Sequence, residues 1–127
     1  MIDIKVVLRG EIDTPALVRF FQFPDREEES IFFYTVASIK KKFEGGLKLN
    51  ANETLAIFCA YVIEQIRKHR SLDEIENAAS RVISSDQVFI GVPETLREMS
   101  FDVIIDNSPK QRIKLVEPIQ VSNYMMT

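Results

Sequence analysis

The sequence contains few of the residues that metal sites and nucleophilic catalysis need. Its 127 residues include one histidine, one cysteine and no tryptophan. Metal sites in proteins generally combine several His or Cys ligands, and one cysteine cannot form an internal disulfide. Cys59 and His69 also lie far apart on one predicted helix. The sequence therefore predicts Cys59 as a small core residue and His69 as a cation near the end of that helix.

Long apolar runs and an excess of positive charge are missing as well. No apolar stretch approaches the roughly 20 residues that a membrane-spanning helix requires. The formal net charge of −3 provides no surplus of Lys and Arg for binding phosphate groups. With one cysteine and no signal pattern at the N-terminus, the chain is expected to be a soluble cytoplasmic protein that binds neither membrane nor nucleic acid.

The overall composition is that of one ordinary globular domain. Hydrophobic residues make up 46% and charged residues 28% of the chain, which contains only four Gly and five Pro. A chain of this size can bury a sizeable core without a disulfide or a metal ion. Carboxylates are numerous, but no acid and base pair stands out. Among the best placed, Glu53 and Glu74 are better explained as helix caps than as catalytic groups.

Strand-like patterns occur at both ends of the chain. Apolar and more polar residues alternate from Ile2 to Leu8, which predicts a half-buried strand. Residues 14–23 suit either a short helix or a second strand, and we favour a strand that pairs with the first. Alternation resumes from Met99 to Ile105 and returns over 112–116, which predicts a C-terminal hairpin.

Capping residues divide the middle of the chain into helices. Asp25 is expected to cap a first helix that stops at Gly45 and Gly46. Asn50 with Glu53 three residues later predicts a second helix running to about His69.

The same capping logic predicts two further helical segments. Ser71 with Glu74 is expected to open a third helix ending near Ile83. Ser85 is expected to cap a short fourth turn through Val88. The acidic and basic runs of the first helix fit its two ends, because acids favour a helix N-terminus and cations its C-terminus. A partner-binding patch is the alternative for these charges.

Several motifs resemble the urease gamma subunit family. The run Gly46-Leu47-Lys48-Leu49-Asn50, followed by Glu53, is similar to the loop between the first two helices of that family. Further along, Gln87-Val88 and then Gly91-Val92-Pro93-Glu94 resemble family elements at the same spacing, and Pro118-Ile119 resembles the family's closing residues. These motif residues are therefore the candidate packing and interface positions.

The resemblance implies a structural subunit of a nickel enzyme. In the family, gamma joins alpha and beta subunits, and three such units surround a threefold axis to hydrolyse urea to ammonia and carbamate. The nickel pair and the catalytic groups belong to the alpha subunit. We therefore expect this chain to bind no cofactor, to contribute no catalytic residue, and to contact urease alpha and beta subunits within a trimer.

The expected architecture is α+β, with a bundle of three to four helices, a C-terminal hairpin and an extra N-terminal strand pair. We expect an N-terminal extension over residues 1–23, a gamma-like domain over 24–119 and a tail over 120–127. The family-like region would be complete without the extension. Deleting residues 1–22 is therefore expected to leave the helical core folded.

The chain also departs from the family in ways that leave a second function open. The extension has no counterpart in short gamma chains, and Val116 stands where the family's closing run has a histidine. The usual Pro-Asp-Gly turn is replaced by residues 106–109. The alternative is a homo-oligomeric interaction module that kept the gamma fold without a urease.

Overall fold

The computed structural model describes residues 1–10 and 14–120, which form an antiparallel sheet with helices on one face. Residues 11–13 and most of the expected tail, 121–127, lie outside the described part. The strands are β1 (Ile2–Arg9), β2 (Leu17–Phe23), β3 (Glu98–Ile105) and β4 (Gln111–Val116). Their order in the sheet is β2-β1-β3-β4. The α+β prediction is confirmed, including the N-terminal strand pair and the C-terminal hairpin.

Strand β1 lies in the middle of this sheet. It pairs with β2 so that Ile2 is opposite Phe23, and with β3 so that Ile2 is also opposite Ile105. The apolar side chains that alternate along β1 are all buried, with 0 to 5% of their surface exposed: Ile2, Ile4, Val6 and Leu8. The sequence did not predict the pairing with β3, which joins the two ends of the chain in one sheet and one core.

The helices are α1 (Arg26–Glu44), α2 (Ala51–Arg67), α3 (Leu72–Ala78) and α4 (Val92–Thr95). Helix α1 packs against β2 and α2, whereas α3 packs against β4. No helix in the described ranges combines the length and apolar character needed to span a bilayer.

Two of the predicted helix limits were wrong. The third helix was expected to continue to Ile83, but α3 ends at Ala78 and tightens into a 3₁₀ turn over Ala79–Arg81. The Val82 amide there bonds the Ala79 carbonyl at 3.2 Å, an i to i+3 spacing that ends the helical period.

The predicted cap of the following turn was also wrong by one residue. Ser84, not Ser85, precedes the 3₁₀ turn Ser85–Gln87. The Ser84 amide donates to Gln87 Oε1 at 2.9 Å. The residue three positions after Ser85 is Val88, which has no side-chain acceptor to fold back in this way.

The predicted caps of the first three helices are confirmed. Asp25 Oδ1 accepts a hydrogen bond from the Glu28 amide at 2.8 Å, and both Asn50 and Ser71 form complete capping boxes. The terminal charges of α1 do more than match its dipole, because Glu29 pairs with Arg67 of α2, and Lys42 pairs with Glu53. These two ion pairs tie both ends of α1 to α2.

The helices cover one face of the sheet and leave the other to solvent. Phe58 of α2 and Phe101 of β3 are fully buried between the layers. On the opposite face, Arg112 pairs with Asp102 at 2.8 Å and Lys114 with Glu98 at 2.7 Å. The Arg112 guanidinium holds the pKa of Asp102 below its ordinary value. Paired charges of this kind are typical of a solvated sheet face.

Candidate subunit interface

The first motif begins with the turn that ends α1. Gly46 has a φ of +81°, a left-handed conformation that costs a glycine little. The Gly46 amide bonds the Phe43 carbonyl at 2.8 Å, and the Leu47 amide bonds the Lys42 carbonyl at 2.9 Å. This pair of bonds is a Schellman motif, which satisfies carbonyls left open at a helix end. It leaves Leu47 on the surface, with 62% of its surface exposed.

Asn50 and Glu53 then fix the start of α2. The Glu53 amide donates to Asn50 Oδ1 at 2.8 Å, and the Asn50 amide donates to Glu53 Oε1 at 3.1 Å. Lys42 also donates to the Glu53 carboxylate. This bond from Lys42, aided by the Asn50 amide and opposed by partial burial, lowers the pKa of Glu53 below its ordinary value of 4.5. Glu53 is therefore both a cap and a link between α1 and α2.

We expect Glu53→Gln to lower stability by about 0.5–1 kcal/mol at pH 7, after allowing for solvent screening of the ion pair. Glutamine keeps the capping acceptor and loses only the charge. Because folding lowers the pKa of Glu53, the charged form stabilises the fold above pH 4.5, and this contribution disappears as pH falls through the lowered value. Urea unfolding of both chains at pH 7 and pH 3 would measure this difference.

Glu74→Gln is the matched control, because Glu74 occupies the same position in the second capping box. Its side chain is 56% exposed, compared with 16% for Glu53, and its cation partner Arg70 is also exposed. We expect a smaller effect at pH 7. An equal loss in both variants would show that the capping box, rather than the bond to Lys42, accounts for the effect.

Leu49 connects the first motif to the second. Its side chain is fully buried, and its backbone forms a parallel bridge with Val88. The Leu49 amide bonds the Gln87 carbonyl at 3.0 Å, and the Phe89 amide bonds the Leu49 carbonyl at 3.0 Å. Lys48 remains exposed beside this bridge. Two segments well separated in sequence are thereby held side by side.

The second motif forms the short helix α4. Gly91 precedes it with a φ of +94°, and Val92 and Pro93 form its first turn. Val92 is buried, Pro93 is half-buried and Glu94 is exposed. The Thr95 amide bonds the Gly91 carbonyl at 3.0 Å. Gly91 allows the chain to reverse here, which turns the residues just before it outward.

The closing motif lies at the other end of α4. The Glu117 amide bonds the Arg97 carbonyl, and the Arg97 guanidinium lies 3.4 Å from the Glu117 carboxylate. Pro118 and Ile119, which follow, are both buried. The structure thus brings all three motifs to the loop 87–97, although Leu49, Val92, Pro118 and Ile119 serve the core rather than a surface.

Three exposed apolar side chains lie on this loop and on the segment that the bridge between Leu49 and Val88 holds beside it. We call Leu47, Phe89 and Ile90 the loop patch. Phe89 is 53% exposed and Ile90 is completely exposed, at 102% of its reference surface. Sequence reasoning did not single out Phe89 or Ile90. The available signal was a pair of large apolar residues beside a turn glycine, outside any helical or strand period.

A groove extends from Ile90 towards the N-terminal strands. Its volume is about 510 Å³, and its walls include Leu8, Leu17, Ile90, Gly91, Glu94 and Thr95. Gly10 approaches α4 so closely that an added Cβ would lie 3.2 Å from the Glu94 carbonyl oxygen. The groove is predominantly apolar, and Leu17 is 47% exposed along it. Ile90 therefore belongs both to the loop patch and to the wall of this groove.

The described residues do not offer a site for nickel. Within residues 1–10 and 14–120, no group of three or more His, Cys, Asp or Glu residues could hold a metal ion. Cys59 is fully buried in α2, and this burial raises the pKa of its thiol far above the ordinary value. His69 is exposed just beyond α2, with a φ of 57°. The prediction that Cys59 is a core residue is confirmed.

Together, the fold and the loop patch define a small α+β protein with exposed apolar side chains beside one loop. Residues 21–119 match the protein family described as "Urease, gamma subunit". The chain therefore belongs to the urease gamma subunit family, as its motifs predicted.

Two relatives illustrate the extent of this similarity. The chain is 34% identical over 95 residues to a urease subunit gamma of Halalkalibacterium halodurans, which covers 74% of this chain and 94% of that protein. It is 27% identical over 99 residues to a urease subunit gamma of Streptomyces coelicolor, covering 77% and 98%. The family match begins within β2, so β1 lies outside it.

Proposed function

We propose that this gamma subunit is a non-catalytic part of a urease, and that the loop patch and its groove contact an alpha or beta subunit. Family membership supports the place in a urease, and the exposure of Ile90 supports the position of the contact. A fully exposed isoleucine is unfavourable in water, and its burial becomes favourable once a partner covers it.

The family motifs support this proposal through what they position. The Gly46 turn presents Leu47, and the Gly91 turn presents Phe89 and Ile90. The Leu49 bridge then fixes these two turns against each other. Backbone hydrogen bonds between Leu49 and residues 87 and 89 hold these turns together, and such pre-organisation lowers the free energy lost on binding.

In this proposal, urea hydrolysis and its nickel pair belong to the alpha subunit. The lone His69 and the buried Cys59 do not fit a nickel pair, so no step of the chemistry is assigned to this chain. The proposal also retains the cytoplasmic location and the threefold assembly that the sequence suggested. The limits at residues 23, 24 and 119 are kept as divisions of family similarity, because β1 and β2 share one sheet and one core with the later strands.

Co-purification of the tagged chain from its native cells tests this function. We expect urease alpha and beta subunits in the eluate, identified by mass spectrometry, together with bound nickel and urea hydrolysis. Recovery of the chain alone, without either large subunit and without activity, would contradict the proposal. It would favour the alternative of a free-standing interaction module.

A further inference from the structure

The outer edge of β2 has no partner strand among the described residues. Because the backbone amides and carbonyls of successive residues point to opposite sides of a strand, about half of those in β2 point away from β1. Leu17, Val18 and Phe20 are 47, 40 and 69% exposed. Such an edge is open to pairing with another strand.

The two edges of the sheet differ in their charge. Strand β4 carries Arg112 and Lys114 within six residues and follows Lys110, and cations of this kind commonly prevent edge pairing. Strand β2 carries only Arg19 in its seven residues, LVRFFQF. The Arg19 side chain donates to the neighbouring Val18 carbonyl at 3.2 Å. The β4 edge is therefore protected against pairing by its charges, and the β2 edge is not.

We infer that β2 pairs antiparallel with β2 of a second copy of this chain, with Phe20 on the twofold axis. In an antiparallel pair, directly opposite residues have their side chains on the same face of the sheet. A twofold axis between two identical strands must therefore pass between two copies of the same residue, and not between two peptide bonds. Three centres give substantial overlap: Arg19, Phe20 and Phe21.

Charge and overlap select among these three registers. Centring on Arg19 places two guanidinium groups directly opposite each other, which is unfavourable. Centring on Phe21 pairs only residues 19–23. Centring on Phe20 pairs the whole of Leu17–Phe23, places Arg19 opposite Phe21 of the second copy, and brings the two exposed Phe20 rings together. A second copy is therefore a self-complementary occupant of this edge.

This inference goes beyond the proposed function and does not depend on it, because it concerns the edge of a strand pair that lies mostly outside the family match. It is tested on the isolated full-length chain. A contact of one strand pair is small, so we expect a dissociation constant of about 1–100 μM. Sedimentation velocity from about 1 to 200 μM should show a monomer–dimer equilibrium.

Substitutions at the two edges identify the contact. We expect Phe20→Lys to weaken dimerisation by about ten-fold or more, because it places two ammonium groups on the axis. Val116→Lys is the matched control, since Val116 is 62% exposed on the other edge strand. A monomer throughout the concentration range, or equal weakening by both substitutions, would overturn the inference.

Cysteine cross-linking tests the register. On the axis, two Cα atoms about 4.5–5.5 Å apart suit a disulfide. We therefore expect Phe20→Cys to form a disulfide-linked dimer under mild oxidation at least about ten-fold faster than Val116→Cys. The native Cys59 is fully buried and adds no background. Equal rates at the two positions would contradict a second copy as the partner of the β2 edge. The same conclusion would follow if, in the complex, Phe20→Cys became linked to a different urease subunit.

Discussion

A chain without residues 1–22 is expected to lose cooperative unfolding, which reverses the expectation from the sequence that the helical core would stay folded, because β1 pairs with β3 inside the common core. The deletion removes four buried apolar side chains of β1 and exposes the edge of β3. At about 1.5–3 kcal/mol for each buried side chain, the loss is about 6–12 kcal/mol, which is comparable with the whole stability of a typical domain. Thermal unfolding followed by circular dichroism would show a broad, non-cooperative change instead of a transition.

A pair of adjacent valines provides a control that keeps the chain intact. Val6 is fully buried beneath the helices, whereas Val7 is half-buried on the outer face of the sheet. We expect Val6→Ala to cost about 1.5–2.5 kcal/mol and Val7→Ala less than about 1 kcal/mol. A truncated chain that unfolds cooperatively, together with equal effects at Val6 and Val7, would show that β1 is dispensable.

Ile90→Asp combined with Leu47→Asp is expected to abolish recovery of the large urease subunits. Both side chains are exposed, at 102% and 62%, so the melting temperature of the isolated chain should change little. Buried apolar anchors at protein interfaces each contribute about 2 kcal/mol or more, so losing two of them weakens binding by roughly 1,000-fold. Quantitative mass spectrometry and the urease activity of the eluate would measure how much of the large subunits is recovered with the tagged variant.

Ile31→Asp on α1 is the control for this double variant. Ile31 is 55% exposed and lies on a helix outside the loop 87–97. We expect it to co-purify as the native chain does. Normal recovery of the double variant would exclude the loop patch as the contact surface, and loss of recovery with Ile31→Asp alone would place the contact on α1.

Local features of the fold were predictable because local chemistry determines them. Asn50 and Glu53 satisfy each other's amides within four residues, so the pattern alone specifies the start of α2. The same holds for Gly46, whose left-handed turn follows from the lack of a side chain. Ser84 and Ser85 are adjacent, and the side-chain acceptor of Gln87, three residues after Ser84, makes Ser84 the cap. The prediction therefore placed this cap one residue too late.

Contacts between distant segments were not predictable in the same way. The alternation of β1 indicates a strand with one buried face, but it does not specify which strands will be its neighbours. One edge of β1 pairs with the adjacent strand β2, but the other edge pairs with β3, which follows the helices in sequence. The exposure of Phe89 and Ile90 depends likewise on the turn at Gly91 and the bridge from Leu49. The motifs located this surface, and only the fold showed which of its side chains face outward.

The pairing of β1 with β3 also affects how the chain folds during synthesis. Ile2 is synthesised about 100 residues before its partner Ile105. At about 5–20 residues per second, the edge of β1 that β3 will cover stays unpaired for roughly 5–20 s. Completing the sheet thus requires closing a loop that contains all four helices, which makes folding slow compared with a helical bundle. During that interval, nascent chains on neighbouring ribosomes expose the same strand to one another.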